Sequence, residues 1–173
     1  ARPEVEAHLL ATLDGLLSKH DIAYLKWDHN RELFPSGRRR VARVRALYRL
    51  LDELRVRHPR VEIETCASGG GRVDLGMLAR CARFWASDNN DPIERVRLNR
   101  AWWQFLPLGS CGNHVGPDPN PITGRSLPMN YRSKIAMFGH MGIEADPARM
   151  SDDERSVLAT HVALYKSWRG VLH

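Results

Sequence analysis

Lys26 and Asp28 stand two residues apart in the segment Ile22-Ala23-Tyr24-Leu25-Lys26-Trp27-Asp28. If that segment is a strand, side chains two apart leave on the same side of the sheet and Trp27 faces the other way. A fixed ammonium keeps a neighbouring carboxylate ionised, which suits a nucleophile or electrostatic stabiliser and not an acid. A structural ion pair at a strand end would show the same spacing. Asp88 follows another apolar run, Arg83-Phe84-Trp85-Ala86, and precedes Asn89, Asn90 and Asp91. Such residues cap a helix opened by Pro92, but Asn90 and Asp91 are better spaced for the cap, which leaves Asp88 spare. Two Asp residues opening into one pocket, one charged and one still holding its proton, are what glycoside hydrolysis requires.

Cys66-Ala67-Ser68-Gly69-Gly70-Gly71-Arg72 is the third segment with chemical content. Three glycines after a strand permit unusual backbone angles and let a ligand approach the main chain. The spacing is neither a phosphate-binding G-x-x-x-x-G-K-[ST] loop nor a dinucleotide fingerprint. A catalytic role for Cys66 would need a base and an orienting group, which the sequence does not identify. Glu62, Glu64 and Cys66 share one face of the strand before the glycines, and on a barrel-lining face Glu64 is expected to pair with Lys26. His29, His58, His114 and His140 show no metal-ligand spacing, so no metal is expected. Trp102 and Trp103, adjacent on a helix, point in different directions and read as packing.

These residues need elements to hold them, and the chain alternates. Pro3 to about Lys19 reads as an amphipathic helix with Val5, Leu9, Leu13, Leu16 and Leu17 on its stripe, and Ile22–Trp27 as a strand. After a loop at Pro35-Ser36-Gly37, a helix carries Val41, Val44, Leu47, Leu51 and Leu54 to about Arg57, where His58-Pro59 stops it. Val61–Thr65 is a strand, residues 74–81 a short helix and Arg83–Ala86 a strand. Pro92 to about Phe105 is a helix, and residues 109–125 form a long Gly/Pro/Asn-rich loop. A helix over 131–138, a strand over 142–144 and a helix from Ser151, with Ser151 and Glu154 at capping-box spacing, complete the order. Such alternation means parallel strands and an α/β fold, in a barrel or a doubly wound sheet. A whole β/α barrel takes about 250 residues, so 173 residues supply about half to two-thirds of one.

Composition narrows the classes. With 43% hydrophobic and 27% charged residues, the chain is suited to one globular domain over 1–173. No apolar run reaches the ~18 residues of a membrane helix, and no signal peptide opens the chain, so no membrane role is expected. Three scattered cysteines (Cys66, Cys81, Cys111) fit a reducing, cytoplasmic setting. The net charge is +6, and 22 of the 26 basic residues are Arg. The cluster Arg38-Arg39-Arg40 with Arg43, Arg45 and Arg49 reads as the solvated face of a helix, so no nucleic-acid partner is expected. The chain starts without Met and ends in Trp168-Arg169-Gly170-Val171-Leu172-His173, which reads as a piece of a longer polypeptide.

Together, Tyr24-Leu25-Lys26-Trp27-Asp28-His29-Asn30-Arg31, Cys66-Ala67-Ser68-Gly69-Gly70-Gly71-Arg72-Val73-Asp74 and Trp85-Ala86-Ser87-Asp88-Asn89-Asn90-Asp91 resemble the α-galactosidases of glycoside hydrolase family 36. His114-Val115, Thr123-Gly124-Arg125 and Phe138-Gly139-His140-Met141-Gly142-Ile143-Glu144 are similar to that family's later barrel region. The resemblance implies a partial (β/α)8 barrel cleaving terminal α-galactosides with retention. It implies Asp28 as nucleophile, Asp88 as acid/base, Lys26 and Asn30 as galactose contacts, and Cys66, Gly69 and Trp85 as pocket lining. It implies no cofactor and a homo-oligomeric full-length enzyme, the open barrel edges inviting a partner. The first half of such a barrel is absent, and Met129-Asn130-Tyr131-Arg132 departs from the family pattern. Alternatives are a non-catalytic truncated barrel, an α-N-acetylgalactosaminidase and a galactosyl transferase of similar chemistry.

Overall fold

The computed structural model describes residues 2–30 and 38–173, so the Pro35-Ser36-Gly37 loop lies outside the described residues. The chain divides into two compact units, Ala1–Ala82 and Arg83–His173.

The first unit holds α1 (Pro3–Lys19), β1 (Tyr24–Trp27), α2 (Arg38–Arg57), β2 (Glu62–Thr65) and the short α3 (Leu75–Leu78). Pro3 at the first turn of α1 loses no hydrogen bond, and Glu4 and Glu6 complement its positive end. β1 and β2 run parallel, with Tyr24 opposite Glu62, Lys26 opposite Glu64 and Trp27 opposite Thr65. Leu17, Leu50 and Leu54 form the core between the helices and the strands, joined by Leu10, Leu13, Ile22, Trp27 and Val61. Burying each of these three leucines contributes up to about 1.5–3 kcal/mol.

Two sequence readings need correction here. On α1 the buried stripe is Leu10, Leu13 and Leu17, while Val5, Leu9 and Leu16 are exposed. The face is set by what packs on it: residues three and four apart meet α2, and Leu9 and Leu16 sit about 100° away. On α2 the core face begins at Ala46, so Val41 and Val44 stay 52% and 40% exposed. Nor are all its arginines merely solvated. Arg49 makes a bidentate pair with Glu6, and Arg57 bonds Asp14 and Glu53.

The second unit holds β3 (Arg83–Trp85), α4 (Pro92–Trp102), β4 (Cys111–Val115), α5 (Met129–Ala136), β5 (His140–Ile143) and α6 (Asp152–Leu172). β3 pairs parallel with β4 (Phe84 opposite Cys111), and β4 with β5 (Gly112 opposite His140, His114 opposite Gly142). The core is Val115, Met129, Ala136, Ala145, Met150 and Leu158. Asp91 caps α4 through Ile93 N–H and Glu94 N–H, and Ser151 with Glu154 forms a complete capping box on α6.

β4 corrects the expectation of an unbroken loop over residues 109–125. Cys-Gly-Asn-His-Val has neither alternation nor a β-branched run, so it carries no strand pattern. It forms a strand because two neighbours flank it, and four of its five residues are buried.

Candidate active site

In the first unit the candidates gather at the C-terminal ends of β1 and β2. The parallel ladder continues past the named strands, since Cys66 N–H bonds Trp27 C=O and His29 N–H bonds Cys66 C=O. Asp28 is thereby set beside Cys66 by the same register that sets Lys26 beside Glu64. Lys26 Nζ lies 3.8 Å from Glu64 Oε1, and Glu64 is only 1% exposed, so the expected pairing is present.

Asp28 is surrounded by donors. Asn30 Nδ2 donates to Oδ2 at 2.9 Å, and the His29 backbone N–H donates to Oδ1 at 2.8 Å. Partial desolvation pushes the carboxyl up. It is outweighed by the Cys66 thiol, Asn30, His29 N–H and the Lys26 charge, which together hold Asp28 below the usual carboxylate range. Cys66 answers in the opposite sense. Burial and the facing carboxylate push its thiol up, against the pull of a backbone contact with Gly69, so it is a proton-bearing donor and a poor nucleophile.

The glycine-rich turn closes over these strand ends. Gly69 takes φ +78° and Ser68 φ +47°, left-handed conformations that Gly69 adopts freely and Ser68 only under constraint. A Cβ on Gly71 would stand 2.5 Å from Ala67 O, so the turn could not close with any other residue there. Ser68 N–H donates to Asn30 Oδ1 at 2.9 Å. Arg72 holds the turn from behind, bonding Thr65 Oγ1, Trp27 C=O and Cys66 C=O.

In the second unit Asp88 is exposed beyond the end of β3, and Trp85 Nε1 donates to its Oδ1 at 2.8 Å. Trp85 itself is only 2% exposed. Arg95 Cζ lies 4.5 Å from its ring centroid, and the His114 ring packs against it at 4.3 Å. Arg95 also bonds Ser87 C=O and Asn90 Oδ1, and Asn90 in turn donates to Glu144, which bonds His114. Asp91, fully buried, accepts from Thr123 Oγ1 and Arg125. Burial raises its carboxyl, and these donors with the helix N–H groups bring it below its ordinary value.

The sequence reading named Lys26, Asp28, Asn30, Cys66 and Gly69, which meet in the first unit, and Trp85 and Asp88, which meet in the second. It gave no role to Arg72, Arg95, His114 or Glu144. The available signal for Arg95 was its place seven residues after Asp88 on the helix that Asp91 caps, which turns a guanidinium back under the loop. A hollow of about 470 Å³ in the second unit, lined by Asp118, Leu127, Met129, Asp153 and Glu154 among others, contains none of these candidates. No group of three or more potential metal ligands occurs among the described residues.

Comparison with known proteins gives consistent matches. The profile of the family described as melibiase matches residues 1–173. An α-galactosidase of Escherichia coli is 42% identical over 175 residues, covering 99% of this chain and 25% of that protein. The galactosidase domain of α-galactosidase-sucrose kinase, AgaSK, superposes with a TM-score of 0.95 at 34% identity, over 99% of this chain and 24% of that one. A substituted α-galactosidase AgaA from Geobacillus stearothermophilus, solved with raffinose, superposes with a TM-score of 0.90 at 31% identity, over 97% of this chain and 25% of that one. The chain therefore spans about a quarter of the length of the relatives it matches. Its fold is part of a (β/α)8 barrel, as expected.

Proposed function

The chain belongs to the melibiase family, and on that premise we propose that it is the segment of a retaining α-galactosidase carrying the nucleophile, Asp28, and the acid/base, Asp88. The observation that carries this reading is the environment of Asp28. A thiol, an amide, a backbone N–H and an ammonium all favour its charged form, leaving a carboxylate at the end of a barrel strand. Chemistry in such barrels sits at the C-terminal ends of the strands.

In this scheme Asp28 attacks the anomeric carbon while Asp88 gives its proton to the departing glycosidic oxygen. Asp88, now a base, takes a proton from the water that releases galactose with retained configuration. Lys26 and Asn30 contact sugar hydroxyls, with Cys66, Gly69 and Trp85 shaping the pocket around them. The scheme needs neither metal nor organic cofactor. The substrate is a terminal α-galactoside of the melibiose or raffinose type; raffinose binding by the AgaA relative supports that class. Three free, buried cysteines support a cytoplasmic setting. Exposed apolar side chains on α1 and α2 support burial against further chain, in keeping with a homo-oligomeric whole enzyme.

The test uses the full-length protein that contains this segment. With a slow fluorinated α-galactoside, rapid quenching and peptide mass analysis should find one galactosyl unit on the peptide bearing Asp28, and Asp28→Asn should abolish it. A galactosyl unit on another carboxylate, or inversion of the product anomer, would overturn the assignment.

A further inference from the structure

We propose that Trp85 is a positioning residue that decides which oxygen of Asp88 carries the transferable proton. The proposal rests on the acid/base reading of Asp88 given above. An indole N–H is a donor with no acceptor capacity. Its bond to Asp88 Oδ1 at 2.8 Å therefore assigns Oδ1 the acceptor role, and the proton of the acid form resides on Oδ2. In this proposal Oδ2, the oxygen that the indole does not engage, is the one offered to the substrate. In the first step the Oδ2–H bond breaks and the glycosidic oxygen takes the proton. The electrons of the breaking C–O bond go to that oxygen, and Asp28 forms the new bond to carbon.

The indole is well suited to this because its ring is held. Arg95, 1% exposed, places its guanidinium over the ring and bonds Ser87 C=O and Asn90 Oδ1, the residues flanking Asp88 and Asn89. His114 packs on the ring from β4, with Nδ1 3.3 Å from Glu144. Space for that imidazole exists because β5 has glycine opposite it: a Cβ on Gly142 would stand 2.4 Å from His114 Cδ2. Three strands and a helix thus fix one N–H vector. A carboxyl free to rotate on an exposed loop would present either oxygen and lose proton-transfer efficiency, since a misplacement of about 1 Å costs about a hundredfold.

The experiment compares the full-length enzyme with Trp85→Phe and with a variant carrying 3-benzothienylalanine at position 85, which keeps the bicyclic shape and replaces N–H by sulfur. Each is assayed on melibiose, whose leaving group needs a proton, and on a dinitrophenyl α-galactoside, whose leaving group does not. We expect kcat/KM on melibiose to fall at least tenfold more than on the aryl substrate in both variants, with the loss in kcat and not KM. A merely structural Trp85 would lower both substrates alike, and that outcome in the benzothienyl variant overturns the proposal even if Trp85→Phe misfolds. Asp88→Asn serves as reference. If it shows the substrate split and the Trp85 variants do not, only the positioning role fails; if it shows none, the acid/base reading and this proposal fail together.

Discussion

Asn30 joins Asp28 to the glycine-rich turn: its Nδ2 donates to Asp28 Oδ2 at 2.9 Å, and its Oδ1 accepts the Ser68 N–H at 2.9 Å. One amide thus fixes a carboxylate and the left-handed corner of a loop at once. The resemblance implies a sugar contact for this residue; within the chain it bonds Asp28 and the turn. That geometry has a consequence in pH.

Asp28 is held below the ordinary carboxylate value, so its charged form is lost only at unusually low pH. In folding, that depressed group adds stability above its unfolded value, and the stability is lost as pH falls through the folded one. In activity, on the proposed role of Asp28, the acidic limb of kcat/KM reports that carboxylate in the free enzyme and should lie below the ordinary carboxylate range. Asn30→Ala removes one donor and should move that limb upward. Rates measured across the acidic range would show it, and an unmoved limb would contradict the role given to Asn30.

Glu64 stands opposite Lys26 in the strand register, with the ion pair at 3.8 Å. Glu64→Gln keeps the shape and removes the charge that orients the ammonium. If Lys26 binds a galactose hydroxyl equally in ground and transition states, KM should rise several-fold with kcat little changed. A fall in kcat at constant KM would point instead to Lys26 acting on Asp28 during the reaction.

Asp91 should matter for stability more than for chemistry. It caps α4 and, while fully buried, holds Thr123 and Arg125. Asp91→Ala removes a helix cap and leaves the guanidinium without that carboxylate, a loss of about 3 kcal/mol or more. Denaturant midpoints of the wild type and variant measure it directly. A change under about 0.5 kcal/mol would show that the loop over residues 120–125 holds without this anchor.

His140 titrates far from its usual range. Burial, then the charges of Arg83 and His173, lower its pKa to about 4 against the opposing bond to Gly109 C=O. The His173 ring stacks on it at 4.3 Å. An unfolded histidine takes its proton near pH 6.5, so stability due to the neutral ring is complete above that pH. It declines as pH falls from 6.5 towards 4. His140→Gln should flatten the dependence of the melting temperature on pH across that window; an unaltered slope would place the acid sensitivity elsewhere.

Much of this was readable one segment at a time. Ser151 with Glu154 announced the start of α6, Pro92 that of α4, and Lys26 with Asp28 a shared strand face, because each signal depends on neighbours within four residues. β4 was not readable, since Cys111–Val115 becomes a strand through the strands beside it. The buried face of α1 was misjudged for a related reason: several leucines offered a stripe, and the position of α2 chose among them.

The sequence by itself determined which groups were available and on which side of each element they emerge, since helix and strand periods follow from covalent geometry. Only the tertiary structure decided which groups meet. Cys66 faces Asp28 across 38 positions of chain because β1 and β2 pair in one register, and a slip of one residue would turn every one of those side chains to the opposite face. Likewise Trp85 receives His114 only because Gly142 leaves the room beside it. Contacts of this kind are fixed by packing between segments distant in the chain, and no local pattern encodes them.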